Sequence, residues 1–427
     1  MNTMISKELL KEVLLEANKK TAIGGEFVER EKINDIEKFI PLKHTVIITG
    51  VRRCGKSTFL FQTMKKFPNG FYYVNFEDER LFGFSVNDFN SLYEVCIELF
   101  GERRVFFLDE IQNIDGWEKW VRRMYESGFK FFITGSNARL LSKELATVLT
   151  GRHLQVSLYP FSFMEFLKFN SFDFKKEDMY LTERRALIKK LFSMYLADGG
   201  FPDYLKYRRI EILQEYFNDI IQRDIVERYG ISNIKQLKEL ARYLITNVGN
   251  LTTYNQLKKM TEIKSVNTVI KYFSYLENAY LVFSVPYFSY SMKKQSANPF
   301  KVFAVDVGLR NSISFKFSED IGRLYENIVA LELKRRGKEF YYWKDKYGKE
   351  VDFLIKDGNE PSGLVQVCWR IENLATKQRE LKGLLAAMKE FNFKDGLVVT
   401  EDFEGEERIM GKTIKYIPLW KWLLEKL

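Results

Sequence analysis

The sequence has very few cysteines and histidines, and this narrows the chemistry that it can support. Three cysteines (Cys54, Cys96 and Cys368) and two histidines (His44 and His153) are scattered along 427 residues without the spacing of zinc ligands. This inventory argues against a histidine-based metal site and a histidine-based catalytic triad. Free thiols that are so widely separated are typical of proteins from a reducing compartment.

Long hydrophobic runs are also missing. No apolar run approaches the roughly 18 residues that a membrane-spanning helix needs. The N-terminal stretch MNTMISKELLKEVLLEANKK has charges inside its apolar segment, which predicts an amphipathic helix and not a signal peptide. We therefore expect a cytoplasmic protein without a membrane partner.

The composition is that of a globular protein, with 46% hydrophobic and 29% charged residues. At roughly 100–200 residues per domain, the length predicts two to four domains. The net charge is +10, from 67 basic and 57 acidic residues. This excess admits two interpretations: a lysine-rich surface, which can also reflect heat tolerance, or a polyanionic partner.

Helical patterns separate five short β-rich runs in the first part of the chain. Strands that alternate with helices predict a parallel sheet covered on both faces. From about Thr182 the pattern becomes helical, and after Gly230 three helices and a hairpin give the outline of a winged helix. Another mixed α/β region begins near Lys301. The five predicted strands are His44–Gly50, Phe71–Asp78, Arg103–Glu110, Phe129–Ser136 and His153–Pro160.

The octet Gly50–Ser57 has the pattern G-x-x-x-x-G-K-[ST] and lies between a predicted strand and a predicted helix. This context predicts a phosphate-binding P-loop. Its glycines let backbone N–H groups face phosphate oxygens at a helix N-terminus. Lys56 would then reach the β- and γ-phosphates of ATP, and the Ser57 hydroxyl would bind Mg²⁺. The alternative is a chance glycine turn.

The run from Val105 to Glu110 supplies a partner for the P-loop, because it is a hydrophobic strand that ends in two carboxylates. We assign Asp109 to the metal ion and Glu110 to activation of the attacking water. The alternative for Glu110 is a capping role for the helical segment that follows it.

With these motifs, the sequence resembles the AAA+ superfamily, in which this second strand ends in adjacent Asp and Glu. It is closer still to a family of predicted archaeal and bacterial AAA+ ATPases. The matching blocks span nearly the whole chain in the family's order: TGVRRCGKST, FFLDEIQNIDGWEKWVRRM, ITGSNARLL, LTGRHLQVSLYPFSFMEF, GGFPDY and YENIVALELKRRG with EVDFLI. The resemblance implies an α/β fold with an AAA+ P-loop core (1–165), a helical lid (166–230), a winged helix (231–298) and a nuclease-like α/β domain (299–427).

The resemblance also implies roles for single residues. Ser136 and Asn137 look like the polar sensor of the γ-phosphate, and Asn75 is similar to a residue that restrains the catalytic Glu, unless it is only a turn residue. Arg152 is a candidate for an arginine that acts in a neighbouring subunit, Arg139 competes for this role, and a structural ion pair is the alternative for both. Arg52 and Arg53 lie inside the P-loop, and each is either a phosphate contact or a packing or interface group. The remaining predicted nucleotide contacts are Gly50, Arg53, Cys54, Gly55 and Thr58.

In the winged-helix interpretation, Ser265–Asn278 is the recognition helix, although its apolar positions are expected to be core. Lys293, Lys294 and Lys301 form a predicted phosphate-contacting patch. A winged helix is a DNA-binding fold that is also used for protein contacts, so both kinds of partner stay open.

The last region resembles the PD-(D/E)xK nuclease fold, whose active site needs three acids and a lysine. Glu326 and Asp352 match the first two acids. The third motif reads Gln366-Val-Cys368, which lacks both the acid and the lysine. We expect no nuclease activity unless a lysine from elsewhere fills the gap, and Lys334 and Lys344 are the nearest candidates.

Together these patterns predict an AAA+ ATPase that binds ATP and Mg²⁺, assembles into a homo-oligomeric ring or arc, and couples hydrolysis to a DNA- or protein-binding C-terminal module. The alternatives are an ATP-gated nuclease and a nucleotide-dependent switch or scaffold with little hydrolysis. Glu110 argues against the switch, because such proteins often lack the catalytic acid.

Overall fold

A computed structural model describes residues 5–22, 27–137, 151–314, 321–372 and 374–425. The chain divides into two compact units. One runs to Tyr159 and includes Asn278–Tyr280, and the other comprises Pro160–Glu277 and the chain from Leu281 onward. The finer division into four domains stays a prediction. Among the described residues, no helix combines the length and apolar character needed to cross a membrane.

The first unit is built on a five-stranded sheet in the order β2-β3-β4-β1-β5, with every neighbouring pair parallel. The predicted parallel α/β core is confirmed, and the strand bounds differ from the prediction by a few residues. The elements are α1 (Lys7–Ala22), α2 (Ile33–Phe39), β1 (Thr45–Gly50), α3 (Lys56–Met64), β2 (Tyr72–Asn75), α4 (Phe89–Phe100), β3 (Val105–Asp109), α5 (Trp117–Glu126), β4 (Lys130–Gly135) and β5 (His153–Leu158).

Aromatic side chains fill both faces of this sheet. Phe106 stacks on Phe131 at 5.4 Å between ring centroids, and Phe107 stacks on Phe132 at 4.8 Å. These are register partners on β3 and β4. Because successive side chains of a strand point to opposite faces, the two stacked pairs lie on opposite faces of the sheet. Helices α1, α4 and α5 cover the Phe106 face, since their apolar residues share one buried cluster with Phe106 and Phe131.

The second unit begins with helices and continues into two sheets. The predicted helical stretch after Thr182 is present, and it ends in a π-helix, Ile220–Glu227. The elements are α6 (Phe163–Phe169), α7 (Thr182–Asp198), α8 (Pro202–Tyr207), α9 (Ile210–Asp219), α10 (Ile234–Thr246), β6 (Leu251–Thr252), α11 (Tyr254–Met260), α12 (Val266–Asn278), β7 (Val282–Val285), α13 (Met292–Ala297), β8 (Phe300–Ala304), α14 (Val307–Ile313), α15 (Ile321–Arg335), β9 (Glu339–Lys344), β10 (Glu350–Asp357), β11 (Glu360–Val367), α16 (Leu374–Glu390), β12 (Asp395–Thr400), β13 (Gly405–Ile409), β14 (Lys412–Pro418) and α17 (Leu419–Leu424).

A small sheet of three strands, β6-β8-β7, accompanies the three helices α10, α11 and α12. The apolar positions of α12 are buried, as expected for core residues: Val269, Tyr272, Phe273 and Leu276. The stretch predicted as a polar loop, 291–298, contains the short helix α13, and Ser291 caps its first turn. The winged helix was predicted to end at residue 298. This boundary separates β8 from β6 and β7, although the three strands form one sheet.

The second sheet has six strands in the order β13-β14-β12-β11-β10-β9. The pairs β11–β12 and β12–β14 are parallel and the other pairs are antiparallel. Helix α16 packs on one face, where Leu384 and Met388 join Val351 and Val398 in a buried cluster. The strands β13 and β14 and the helix α17 were missing from the sequence prediction.

The GGFP motif, residues 199–202, connects α7 to α8 in this unit. Gly199 has φ +69°, and a Cβ there would overlap the Asp306 carboxylate. The next N–H, from Gly200, donates to Asp306 Oδ2 at 2.7 Å. A Cβ on Gly308 would likewise overlap the carbonyl of Asp198. Gly199 therefore leaves room for the Asp306 carboxylate and Gly308 for the Asp198 carbonyl, which gives both glycines a structural role.

Candidate active site

The P-loop lies between the end of β1 and the start of α3, as its sequence context predicts. Two of its glycines are required by geometry. A Cβ on Gly50 would overlap the carbonyl oxygen of Leu158, and Gly55 has φ +95° at the N-cap of α3. This structure excludes the chance glycine turn, because the loop joins a buried parallel strand to a helix N-terminus that faces anions favourably.

Lys56 is buried, and its ammonium group contacts two carbonyl oxygens and a carboxylate. Nζ donates to the carbonyl oxygens of Gly50 and Val51, both at 3.3 Å, and lies 3.4 Å from Glu110 Oε1. The two motifs predicted from sequence therefore meet, with a cation and a carboxylate in direct contact. An anionic phosphate that approaches this ammonium would compete with Glu110 for it.

Asp109 lies at the carboxyl end of β3 among hydroxyl groups. Ser57 and Thr134 donate to its carboxylate, and Tyr73 donates to Oδ2 at 3.3 Å. Burial, and after it the charge of Glu110, raises the pKa of Asp109 to about 6. A divalent cation beside this carboxylate would oppose that shift by favouring the ionised form.

Glu110 has left-handed backbone geometry with φ +51°, which turns its side chain toward Lys56. Its N–H donates to Thr134 Oγ1 at 2.9 Å, and Gln112 Nε2 donates to Oε2 at 2.5 Å. Burial opposes ionisation, but Lys56 and Gln112 hold the pKa of Glu110 below its usual value. The carboxylate is thus charged at neutral pH and able to accept a proton.

The alternative role for Glu110, helix capping, is not what the structure shows. Glu110 occupies the N-cap position of a short 3₁₀ helix, Ile111–Asn113, but its side chain makes no capping hydrogen bond.

The oxygen donors at this site suit magnesium. Ser57 and Asp109 are hydrogen-bonded to one another, so a hydroxyl and a carboxylate already lie together beside the P-loop. Mg²⁺ typically takes one or two protein oxygens, together with substrate phosphates and waters. Across the described ranges, no group of three or more His, Cys, Asp and Glu side chains is arranged to hold a metal ion. Ser57 and Asp109 therefore fit a Mg²⁺ ion whose other ligands are substrate phosphates and waters.

Comparison with known proteins agrees with this geometry. Residues 42–167 match the family model of the AAA domain. Over 99% of its length, the chain is 39% identical to the uncharacterized protein MJ1544 of Methanocaldococcus jannaschii, of which the alignment covers 97%. The chain belongs to this family of AAA-domain proteins.

Other parts of this AAA-family chain match domains described only as being of unknown function, at residues 189–320 and 321–422. An uncharacterized protein of Haemophilus influenzae is 32% identical over 91% of the chain and 97% of that protein. Among solved structures, the Walker-type ATPase PABY2304 of Pyrococcus abyssi is similar with a TM-score of 0.44 and 15% identity, over 67% of this chain and 96% of that one.

The structure adds a residue that the sequence motifs do not include. Arg30 is buried at 4% exposure, and its guanidinium donates to the carbonyl of Cys54 at 2.8 Å and to that of Tyr159. Gln62 holds the segment in place, because its amide bonds both the Val28 carbonyl and the Arg30 N–H. Arg30 thereby joins the P-loop to the chain that leaves β5. It lies 24 residues before Cys54 and outside any recognised motif, so no sequence signal indicated it.

We expect Arg30→Ala to lower both stability and ATP affinity, because two carbonyls lose their donor. Each unsatisfied buried group costs about 1–3 kcal/mol. Arg30→Lys should recover only part of the loss, since an ammonium lacks the planar fork that reaches both carbonyls. Urea unfolding and titration with a fluorescent ATP analogue measure the two effects. Full activity and stability in Arg30→Ala would show that the contact is dispensable.

The other predicted nucleotide-site residues are placed as follows. Asn75 accepts the Glu77 N–H at 2.9 Å, which is a turn contact at the end of β2. Asn137 is fully buried and follows β4. Arg53 is exposed with φ +67°, and Arg52 pairs with Glu77 at 3.0 Å. Arg139, the other candidate for the arginine that acts in a neighbouring subunit, lies outside the described residues.

Arg152 does not meet the P-loop of its own chain. It precedes β5, whose first residue pairs with Thr45 and whose last pairs with Gly50. At about 3.3 Å per residue, Arg152 is roughly 20 Å from the P-loop along the strand. Its guanidinium pairs with Glu126 at 3.0 Å, and its side chain is 44% exposed. This ion pair is the structural alternative for Arg152, and its role in a neighbouring subunit stays a prediction.

In the second unit, the three residues of the predicted nuclease remnant, Glu326, Asp352 and Gln366, lie in one cluster. Gln366 Nε2 donates to Asp352 Oδ2 at 2.8 Å, and one lysine, Lys301, contacts both Asp352 and Glu326. The prediction that Lys301 belongs to an exposed phosphate-contacting patch is wrong, because this side chain is 3% exposed and surrounded by carboxylates.

Neither lysine suggested by sequence fills the gap in this remnant. Lys334 lies against the rings of Phe283 and Phe340, and Lys344 reaches Glu350 at 3.2 Å. Lys301 comes from β8 of the three-stranded sheet, a position that sequence spacing could not suggest.

Proposed function

We propose that this chain binds ATP with Mg²⁺ and hydrolyses it at the P-loop site. The observation that carries the proposal is the contact of 3.4 Å between Lys56 Nζ and Glu110 Oε1, directly beside the hydrogen-bonded pair of Ser57 and Asp109. One site thus contains a cation that can bind phosphate, oxygens that can bind a metal ion and a carboxylate that can accept a proton from water.

Each residue has a distinct role in this proposal. The P-loop N–H groups from Arg53 to Thr58 and the Lys56 ammonium bind the β- and γ-phosphates. Ser57 and Asp109 would hold the metal ion, whose charge would neutralise that of the phosphates. As phosphate oxygens draw Lys56 away from Glu110, the Glu110 carboxylate is kept in place by Gln112 at 2.5 Å. It then accepts a proton from the attacking water.

Release of inorganic phosphate from ATP by the full chain tests this proposal. We expect turnover with Mg²⁺ and its loss in EDTA. The rival interpretation, a nucleotide switch, requires tight ATP binding without turnover.

We further propose that the ATP hydrolysis cycle moves a C-terminal module with a winged-helix arrangement. The helices α10–α12 and the sheet β6-β8-β7 support this arrangement. Lys293 and Lys294 on α13 are exposed and remain the candidate contacts for phosphate. Whether the partner is DNA or a protein is tested by measuring turnover with single-stranded, duplex and branched DNA. The charge of +10 favours a polyanion, and phosphate contacts would make its binding steeply salt-dependent.

We also propose that copies of the chain assemble so that Arg152 reaches the nucleotide of a neighbour. Arg152→Ala is then expected to keep ATP affinity but lose hydrolysis, because transition-state charge lacks its guanidinium. Mixing it with Glu110→Gln protein should restore some activity, since some mixed interfaces combine an intact Arg152 with an intact Glu110.

Phosphate release from the mixture, compared with each variant alone, measures this complementation. Arg122→Ala is a matched control, because Arg122 also pairs with Glu126 but lies on α5. A monomeric, fully active Arg152→Ala protein would contradict the assembly.

A further inference from the structure

A cluster of carboxylates in the second unit encloses one lysine. Lys301 projects from β8, and its Nζ lies 2.8 Å from Asp352 Oδ1, 2.9 Å from Glu350 Oε1 and 3.3 Å from Glu326 Oε2. Asp352 and Glu350 belong to β10, and Glu326 belongs to α15. The ammonium group therefore links β8 of the three-stranded sheet to β10 of the six-stranded sheet and to helix α15.

The second carboxylate oxygens of Asp352 and Glu350 also lie against protein donors. Asp352 Oδ2 accepts Gln366 Nε2 at 2.8 Å and the Val367 N–H at 3.0 Å. Glu350 Oε2 lies 3.2 Å from Lys344 Nζ. Gln366 Nε2 also reaches Glu380 Oε2 at 2.6 Å, so its amide joins a further carboxylate to the group. Both carboxylate oxygens of Asp352 therefore already accept hydrogen bonds from protein donors.

The cluster lies in the wall of a cavity of about 570 Å³, within reach of small solutes. Carboxylates gathered at such a site repel one another, and their ionisation requires a cation nearby. A divalent metal ion is the usual solution and binds carboxylate oxygens at roughly 2.0–2.6 Å. Here an ammonium group lies at hydrogen-bond distance from the same oxygens.

We propose that the Lys301 ammonium is the resident cation of this cluster: it occupies the place of a divalent metal ion, keeps such ions out, and ties β8 to the six-stranded sheet. The inference is independent of ATP hydrolysis. Because Lys301 is fixed to the chain, the strand and the cluster stay joined whatever the metal concentration. The opposite interpretation, in which Lys301 assists a bound metal ion in cutting a phosphodiester, requires that Asp352 bind the metal in the unaltered chain.

The test is Mn²⁺ binding to the full chain without nucleotide, measured by the loss of the free-ion electron paramagnetic resonance signal. Lys301→Met removes the charge but keeps an unbranched side chain, and we expect it to bind one more Mn²⁺ per chain than the wild type. Lys344→Met is the matched control, because Lys344 contacts a carboxylate of the same cluster and is 37% exposed. It should bind no more Mn²⁺ than the wild type, and Lys301→Met/Asp352→Asn should lose the added site.

Thermal unfolding provides a second readout that does not depend on the P-loop. Mn²⁺ should raise the Tm of Lys301→Met above its value in EDTA, and this rise should be absent from the wild type and from the double variant. If Lys301→Met does not fold in EDTA, Lys301→Gln replaces it in both measurements, because glutamine keeps hydrogen-bond donors. Failure of both variants to fold even with Mn²⁺ present would count against replacement of the ammonium by a metal ion.

Three other outcomes would overturn the proposal. The first is a folded Lys301→Met protein without an added Mn²⁺ site. The second is a wild-type Mn²⁺ site that Asp352→Asn removes. The third is Mn²⁺-dependent DNA cleavage by the wild type that Asp352→Asn abolishes, which would make Lys301 part of a working nuclease.

Discussion

Lys56→Ala is expected to lose ATP binding almost completely. The substitution removes the ammonium that faces the β- and γ-phosphates, and it also leaves the buried Glu110 carboxylate without the cation 3.4 Å away. Removing one partner of a buried charge pair costs about 2–5 kcal/mol. At 1.4 kcal/mol per tenfold change, ATP affinity should fall by roughly thirtyfold to several thousandfold.

Titration with a fluorescent ATP analogue, followed by competition with unlabelled ATP, measures this loss. Lys65→Ala is a suitable control, because Lys65 follows the same helix but is exposed. Its affinity should equal that of the wild type. If Lys56→Ala bound ATP as tightly as Lys65→Ala does, the nucleotide would have to bind elsewhere.

Glu110→Gln is expected to bind ATP but to hydrolyse it at least ~100-fold more slowly, the usual contribution of a positioned general base. The amide is nearly the same size as the carboxylate, and its oxygen can still accept from Gln112. It cannot take a proton from water at neutral pH. It also no longer attracts Lys56, so ATP affinity should be unchanged or higher.

The same substitution at the other end of the strand provides the control. Glu102 is exposed and precedes β3, whereas Glu110 follows it. Glu102→Gln should hydrolyse ATP at the wild-type rate. Equal turnover in the two variants would remove Glu110 from the mechanism.

Much of the nucleotide site was predictable because its residues follow from local sequence. Asp109 and Glu110 end one parallel strand and the P-loop begins at the end of another, and the carboxyl ends of parallel strands meet at one edge of a sheet. The fold class therefore predicts that they lie at the same edge, and the structure adds the contact between Lys56 and Glu110. The sequence also favoured Glu110 as a catalytic residue over a cap; its side chain makes no capping hydrogen bond, and its catalytic role stays a prediction.

Contacts that join distant segments were not predictable. Lys301 was expected at the surface because it follows a polar, lysine-containing loop. It lies 51 residues from Asp352, on a strand of a different sheet, and only the packing of both sheets brings them together. Arg30 was missed for a similar reason, since a single arginine in a polar segment has no periodicity that indicates burial. The strands β13 and β14 contain many charged and polar residues, and their solvent-facing side chains obscure the alternation that marks a strand.

The most direct test of the central claim is a single-turnover measurement with protein in excess over ATP and Mg²⁺ present. Wild type and Glu110→Gln are first saturated to the same bound fraction, and the conversion of bound ATP to ADP and phosphate is then followed in quenched samples. The account predicts that wild type converts its bound ATP at least ~100-fold faster than Glu110→Gln does. Equal conversion rates, or ATP that stays intact on both proteins, would contradict it.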